Sequence, residues 1–383
     1  MFSNTNLGLL LAAFPNKLFQ QEVKASKADR YAKNCTSRDL LITLLIGHLK
    51  QAGSLRSLTS MSQTIDEHQY HLNARSIPRS TLSDALKKRS TLPFQRASEH
   101  LLRCVGGQQS RSIGRMISLI DSTSITLRGP GFDEWTAPTK TRITQGLKVH
   151  TGFDPVQLAP TYINITPANV NDSTDALGMP IEPGMTYVFD KGYCDYGWWH
   201  QLHAAGAYFV TRLKSNANIR IGHKHSCPLP GSPVNTDEMV QFGRRQNAFK
   251  DTPVRRISLR IDEWKNPLTL ITNDMNSPAE EIAELYKQRW QIELFFKWMK
   301  QHLKLKRFYA FSENAVCLQI YSAVITYLLL HFFHKRTGLR ESLFDLTRRL
   351  ACVWFERPPT RESLARRRQK DQELKAAQGS LQL

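Results

Sequence analysis

The sequence contains little cysteine, glycine or proline for its length. Its 383 residues include six cysteines, 20 glycines and 18 prolines, and 41% of the residues are hydrophobic. The cysteines are widely spaced and form no Cys-x-x-Cys pair, which excludes a disulfide-rich fold; His223, His225 and Cys227 have no second ligand group nearby in sequence to complete a zinc site. The low glycine and proline content excludes collagen-like and low-complexity chains. The composition therefore predicts two or three packed domains.

Long hydrophobic runs are also scarce. Residues 315–333 could span a bilayer by length, but they include Gln319, Thr326 and His331, and no second such run is present. This pattern favours a buried core helix over a membrane span. Residues 7–14 are apolar but lack the basic residues that precede a signal-peptide core. We therefore predict a cytoplasmic protein with no membrane partner.

Acidic residues are few, with 33 Asp and Glu against 52 Lys and Arg, a formal net charge of +19. Residues 1–110 carry 15 basic and 7 acidic side chains, residues 111–283 carry 18 and 17, and residues 284–383 carry 19 and 9. Self-repulsion makes this excess costly unless an anionic partner offsets it. Basic ends around a neutral centre indicate a nucleic-acid-binding protein, although a solvated basic surface is the alternative on charge alone.

Residues 1–110 show the periodicity of helices and no strand-like alternation. Leucines recur at helical spacing over residues 40–49 and at Leu55 and Leu58. Residues 80–89 predict a short helix with Ser80 as its N-cap and a basic C-terminal end. Such a helix fits either a recognition helix for the major groove or an amphipathic helix with a solvated basic end. We predict that residues 1–110 form a helical DNA-binding domain.

The pattern after residue 110 alternates between strands and helices. Residues 116–120 predict a buried strand that Asp121 ends, and residues 185–189 predict another that Asp190 ends. A helix through Trp198 and Leu202 and a strand over residues 208–213 follow. This alternation predicts an α/β core over residues 111–340.

Two segments differ from this core in composition. Residues 215–274 contain short strand-like runs, with residues 257–261 and 268–272 joined as a hairpin, and predict a β-rich insertion. Helical periodicity then resumes at Ser277, a candidate N-cap, with Pro278 in the first turn and Glu280 able to close a capping box. Residues 341–383, which include three consecutive arginines at 366–368, predict a basic and partly disordered C-terminal segment.

A stripe of charged and polar residues runs along the helix that follows Ser277. Tyr286, Arg289, Glu293 and Lys300 project within about 60° of one another on a helix. On spacing alone the stripe fits a ladder of salt bridges on a solvated face. A functional role is favoured if Glu293 meets the two strand-end aspartates, because open α/β folds place their sites at that edge of the sheet.

Asp121, Asp190 and Glu293 together would form an oxygen-rich site of three carboxylates. Magnesium prefers such ligands, and two metal ions about 4 Å apart can activate the attacking oxygen and stabilise the leaving oxygen of a phosphodiester. Arg289 and Lys300 would hold phosphates beside the metal, arginine by paired hydrogen bonds and lysine as a point charge.

The spacing Tyr286-x2-Arg289-x3-Glu293-x6-Lys300 resembles the Tyr-Arg-Glu-Lys signature of the DDE transposases of bacterial insertion sequences, in the family named after insertion sequence four. All four residues match without a gap. The resemblance covers roughly residues 10–340 and is strongest at the three carboxylate motifs.

The two aspartate motifs extend this resemblance. Asp121, followed by Ser-Thr, is similar to the family's first catalytic aspartate, and Asp190, followed by Lys-Gly-Tyr, is similar to its second. Residues 148–150 fit the family's second-strand pattern, and the long gap before Glu293 resembles its β insertion. Residues 54–56 and 80–82 are similar to segments of its helical N-terminal domain.

The resemblance implies an RNase H-like catalytic core, with a β-rich insertion and a helical N-terminal DNA-binding domain. It implies that Asp121, Asp190 and Glu293 are catalytic and bind Mg²⁺, with Mn²⁺ as a substitute. Three further residues would contact transposon-end DNA: Tyr286, Arg289 and Lys300. Because some relatives stack a flipped base on a tryptophan of the insertion, Trp264 is a candidate for that role. The alternatives are that Trp264 packs in the core of the hairpin, or that Trp198 or Trp199 stacks the base.

The implied function is that of an insertion-sequence transposase. Such an enzyme binds terminal inverted repeats, cleaves DNA at the element ends and joins the 3′-hydroxyl to target DNA by magnesium-dependent phosphoryl transfer. Its partners would be double-stranded DNA and a second copy of the chain in a homodimeric synaptic complex, in the cytoplasm of a bacterium and associated with the nucleoid. A structure-specific nuclease on the same fold and a catalytically inactive, domesticated DNA-binding protein are the alternatives.

Overall fold

A nine-stranded mixed sheet organises the chain in the computed structural model. The structure describes residues 5–68, 72–107, 116–214, 216–227, 229–243, 252, 254–260, 267–302, 308–354 and 356. The strand order is β3-β2-β1-β4-β5-β9-β8-β7-β6. The strands are β1 Ile117–Thr126, β2 Gly146–Asp154, β3 Ala159–Pro167, β4 Thr186–Phe189, β5 Tyr208–Arg212, β6 Ile219–Lys224, β7 Val234–Phe242, β8 Val254–Leu259 and β9 Leu268–Thr272.

Helices precede, interrupt and follow the sheet. Before it lie α1 Asn6–Leu11, α2 Asn16–Ala25, α3 Ser37–Leu49, α4 Leu55–Ser62, α5 Arg79–Lys88 and α6 Leu92–Gly106. Between strands lie α7 Asp133–Thr136, α8 Asp172–Ala176 and α9 Tyr196–Ala204, and after the last strand lie α10 Ala279–Gln288, α11 Trp290–His302, α12 Glu313–Thr337 and α13 Leu343–Leu350.

The centre of the sheet is parallel and buried. β1, β4 and β5 run parallel, with Ile117 to Ile120 opposite Thr186 to Phe189. These residues of β1 and β4 are buried on both faces, which is typical of parallel strands covered by helices on each side. The predicted end of the first strand at Asp121 was wrong, because β1 continues to Thr126 through antiparallel pairing with β2.

The β-rich insertion extends this sheet instead of forming a separate one. β9 pairs antiparallel with β5, and β8, β7 and β6 follow as antiparallel neighbours. The predicted antiparallel pairing of the segments around Ile257 and Leu270 is confirmed. The fully buried Arg255 and Asp237 form an ion pair across β7 and β8, with Nε and Oδ1 2.7 Å apart.

Both predicted N-caps were wrong, Ser277 by one residue and Ser80 by two. α10 begins at Ala279 and α5 begins at Arg79, each preceded by a proline that makes no side-chain capping bond. Ser277 instead donates its hydroxyl to Asp274 Oδ2 at 2.6 Å. The serine side chain is therefore used in the turn before the helix.

The predicted core helix at residues 315–333 is confirmed as α12. Its sequence is long and apolar enough to cross a membrane, but 83% of its most apolar window is buried inside the fold. α1, α3, α5 and α6 pack against it, and α6 also packs against β3. The N-terminal helices and the sheet consequently share one hydrophobic core.

Candidate active site

Asp121 and Asp190 lie side by side at one end of the parallel strands. The last paired residues of β1 and β4 are Ile120 and Phe189, so the next residue of each strand is an aspartate. The Asp121 side chain is 21% exposed and that of Asp190 is 32% exposed. Both carboxylates are therefore partly open to solvent above a buried sheet.

Glu293 reaches this edge from the first turn of α11. The Arg289 guanidinium bridges it to the sheet: Nη1 lies 3.2 Å from Asp121 Oδ2, and Nη2 lies 2.7 Å from Glu293 Oε1. Arg289 occupies the break between α10 and α11, where its carbonyl accepts from the Ile292 amide. The predicted stripe thus lies on two helical segments, and its carboxylate faces the sheet.

Two further side chains contact Asp190. The Tyr286 hydroxyl donates to Asp190 Oδ1 at 3.3 Å, and Arg212 Nη1 lies 3.9 Å from the same oxygen. Burial raises the pKa of the Tyr286 phenol, so the hydroxyl keeps its proton as a donor. Arg212, at the end of β5, was missed by the sequence analysis, which found that strand but gave its arginine no role.

The carboxylates repel one another. Burial raises the pKa of the Asp121 carboxyl to about 6, and the nearby Glu293 and Asp190 charges add to the rise. The Ser122 amide, which donates to Asp121 Oδ1 at 2.8 Å, and the Arg289 guanidinium oppose it. Positive charge beside Asp121 therefore favours the ionised form of this carboxyl, and Arg289 supplies such a charge.

A cavity of about 430 Å³ opens beside Asp121 and Glu293. Lys297 and Lys300, one helical turn and nearly two turns beyond Glu293, line it together with Phe296, Gln301, Ser122 and Thr123. The lining of this cavity thus combines two carboxylates with two lysines. That arrangement suits an anionic chain that passes across a cation-binding centre.

The donor set fits a divalent metal ion. Carboxylates are hard oxygen ligands of the kind that Mg²⁺ prefers, and burial, with a smaller contribution from Glu293 and Asp190, raises the pKa of Asp121, which a bound cation would lower. Within the described ranges, no three Asp, Glu, His or Cys side chains lie close enough together to hold a metal ion, and Arg289 bridges two of the three predicted ligands instead. His225, from the His-x-His-x-Cys cluster, pairs with the carbonyl oxygen of Met275 at 3.1 Å.

A fourth carboxylate, Asp172, which sequence reasoning missed, lies beside the segments that carry Asp121 and Asp190. Asp172 Oδ1 accepts from the Ser122 hydroxyl at 2.7 Å and lies 3.1 Å from Lys148 Nζ. A Cβ atom on Gly192, two residues after Asp190, would lie only 3.3 Å from Asp172 Oδ2. Asp172 therefore contacts the segments that follow both strand-end aspartates.

The buried His150 lies behind Asp172. Its Nδ1 is 3.7 Å from Asp172 Oδ1 and 3.6 Å from Asp175 Oδ2, while Nε2 pairs with the Thr166 hydroxyl at 2.9 Å. Lys148 and His150 belong to the strand pattern that the sequence analysis noticed. The pattern did not reveal Asp172, because their partner is 22 residues away from His150 on another element.

The tryptophan candidates for base stacking differ in their exposure to solvent. Trp264 lies outside the described residues. Trp198 and Trp199 are fully buried against Phe189 and Phe209, so they are not accessible for base stacking. Trp290, which sequence reasoning missed although it follows Arg289 directly, is 59% exposed and lines a cavity of about 500 Å³ together with Tyr286 and Arg289.

Two family models match the chain. The model described as "Transposase DDE domain" matches residues 113–329, which contain Asp121, Asp190 and Glu293. A domain of unknown function, DUF4372, matches residues 3–75.

Relatives of known name are transposases. The chain is 37% identical over 279 residues to "Putative transposase y4zB" of Sinorhizobium fredii, which covers 72% of this chain and 77% of the relative. It is 27% identical to "Probable transposase for insertion sequence element IS5377" of Geobacillus stearothermophilus, over 71% of this chain and 74% of the relative. It is also 27% identical to "Putative transposase for insertion sequence element IS4SA" of a Synechocystis strain, over 75% of this chain and 81% of the relative.

A solved structure shares the fold. The piggyBac transposase, in a cryo-EM structure of its synaptic complex with hairpin DNA, aligns with a TM-score of 0.54 over 95% of this chain and 84% of that one. The sequence identity is 11%, so this likeness concerns the fold alone.

Proposed function

The chain belongs to the DDE transposase family, of the insertion sequence four type, and we propose that it cuts and joins the DNA of an insertion sequence. One observation supports the proposal: Asp121 and Asp190 follow neighbouring strands β1 and β4, and Arg289 links Asp121 to Glu293 of α11. In the proposed reaction the enzyme binds the terminal inverted repeats and cleaves DNA at the element ends. The freed 3′-hydroxyl then attacks a phosphodiester of target DNA, so that a new bond to phosphorus forms as the target's own 3′-oxygen leaves.

The carboxylates would hold Mg²⁺, with Mn²⁺ as a substitute. Bound metal would supply Lewis acidity to the reacting phosphodiester. Tyr286 holds the orientation of Asp190, and Arg289 offsets the charges of Asp121 and Glu293. Tyr286, Arg289 and Lys300 then bind the end DNA, and Trp264 remains the candidate platform for a flipped base if excision passes through a hairpin.

Strand order supports an RNase H-like core. β3, β2 and β1 are antiparallel neighbours, and β4 and β5 follow β1 in parallel. The helices of residues 1–110 supply the proposed DNA-binding domain, and two chains act as a homodimer because two ends must join one target. Such an enzyme works in the bacterial cytoplasm on nucleoid DNA.

A strand-transfer assay tests this proposal. Purified protein, Mg²⁺, a supercoiled plasmid and a labelled duplex with the repeat that flanks the gene should yield label covalently joined to plasmid. Cleaved ends without joined product would support a structure-specific nuclease. Specific binding without cleavage would support an inactive DNA-binding protein.

A further inference from the structure

An exposed tyrosine with a strained backbone lies in the loop between α2 and α3. Tyr31 is 84% exposed, and its φ of 67° lies in the left-handed region that bulky residues rarely adopt. The Arg30 guanidinium lies 5.1 Å from the centroid of its ring. A strained residue that the surrounding structure maintains is more typical of a functional surface than of a passive loop.

Arg89, at the C-terminal end of α5, fixes this loop. Its guanidinium donates to the carbonyl oxygens of Ala28 and Cys35 and pairs with Asp29, with Nη1 3.0 Å from Oδ1. The Arg89 side chain is only 10% exposed. Arg89 therefore anchors the loop on both sides of Tyr31.

The anchor itself is tied to the rest of the fold. Asp29 Oδ1 also accepts from the backbone amide and the hydroxyl of Ser37, both at 2.7 Å, at the start of α3. Asn314 of α12 donates to the carbonyl oxygens of Leu86 and Arg89, both at 2.9 Å. Loop, α3, α5 and the core helix α12 thus form one rigid unit.

Basic side chains surround the tyrosine. Arg30, Lys33 and Lys88 are exposed and, with Tyr31, line a cavity of about 390 Å³ between the loop and α5. One exposed carboxylate, Asp84, lines the same cavity. We call Arg30, Tyr31, Lys33 and Lys88 the Tyr31 surface.

We propose that the Tyr31 surface binds duplex DNA of the element ends, an inference that rests on the proposed function. Three cations contact phosphates, and the ring lies against sugars and base edges in the adjacent groove. The charge has the sign that a polyanion requires, and an exposed aromatic ring beside it suits DNA. Because the loop is fixed before binding, little ordering is needed when DNA arrives.

Four variants of the full chain test this assignment in binding to the labelled repeat duplex at several salt concentrations. Lys33→Ala with Lys88→Ala should lower the slope of log affinity against log salt by about 1.8, since each lost phosphate contact removes about 0.9.

Tyr31→Gly should weaken binding by about fivefold or more and keep the Tm, because glycine adopts the left-handed backbone without strain. Tyr31→Phe keeps the ring and should bind like the wild type, whereas Asp84→Asn should bind more tightly.

The controls separate this inference from the proposed function. Lys140→Ala, an exposed lysine near α7, should leave affinity and salt slope unchanged. If the wild type binds and cleaves the repeat while the Tyr31, Lys33–Lys88 and Asp84 variants match its affinity and slope, the Tyr31 surface is not a DNA contact and the proposed function stands. If the wild type does not bind the repeat, both fail.

Discussion

At the scale of single residues, Arg289 connects three other residues of the candidate site. Its guanidinium spans Asp121 and Glu293, which come from different elements, and it lies within 5.9 Å of the Tyr286 ring. The sequence spacing predicted a shared face for these residues. It did not predict that a break in the helix at Arg289 turns the guanidinium toward β1, because that break depends on packing against the sheet.

Glu293→Gln should abolish cleavage and leave binding of the end duplex largely intact. The amide keeps the size of the side chain but removes the charge that a metal ligand needs. Gel shift and a cleavage assay on the same protein sample measure both effects. Glu284→Gln, on the exposed side of α10, is the matched control and should cleave normally; cleavage by Glu293→Gln would remove Glu293 from the proposed metal site.

Asp172→Asn should impair catalysis through Ser122 and Gly192 without unfolding the protein. An amide loses its charged contacts with Lys148 and His150, and residues that support metal ligands typically account for about 10- to 100-fold in activity or metal affinity. We expect a higher Mg²⁺ concentration for half-maximal cleavage and an unchanged Tm. A normal magnesium dependence would show that Asp172 has no positioning role.

At the scale of elements, the sequence predicted which strands and helices exist better than where they end. The buried runs around Leu119, Val188 and Val210 gave the central strands, because an uninterrupted apolar run leaves few alternatives. Strand β1 runs past Asp121 since β2 pairs with it there, and such pairing is not a local property of the sequence. For the same reason the insertion joins the main sheet through β9, a long-range contact that composition does not reveal.

Leu45→Ala should destabilise the sheet as well as the N-terminal helices. Leu45 of α3 is 1% exposed in the core shared with α12, and such a truncation lowers the free energy of unfolding by about 2–5 kcal/mol. All seven tryptophans lie after residue 110, so their fluorescence reports on the remainder of the chain. The urea midpoint of tryptophan fluorescence should fall; an unchanged midpoint would mean that residues 1–110 unfold independently.

At the scale of the whole molecule, the charge distribution matches the proposed roles of the segments. The near-neutral centre contains two of the three carboxylates, and the basic ends contribute Arg289 and Lys300 to the site and the Tyr31 surface to the N-terminal helices. Long-range attraction of DNA to such a molecule falls as salt rises, since binding releases counterions. The charge pattern predicted the class of partner from the sequence alone, but only the fold brings residues 121, 190 and 293 together.

Lys300→Ala should weaken the end complex in a salt-dependent way. Lys300 lines the cavity beside Glu293, and one lost phosphate contact lowers the salt slope by about 0.9. Affinity measured by fluorescence anisotropy across a salt series gives this slope. A slope equal to that of the wild type would contradict a phosphate contact.

Cleavage at the repeat boundary tests the central claim most directly. Wild-type protein and Asp190→Ala are each incubated with Mg²⁺ and an end-labelled duplex that carries the inverted repeat flanking the gene, and the products are sized at nucleotide resolution. We predict a cut at the boundary by the wild type that depends on Mg²⁺ and is absent with Asp190→Ala. A cut of equal rate by Asp190→Ala would contradict the assignment of Asp121, Asp190 and Glu293 as one catalytic centre.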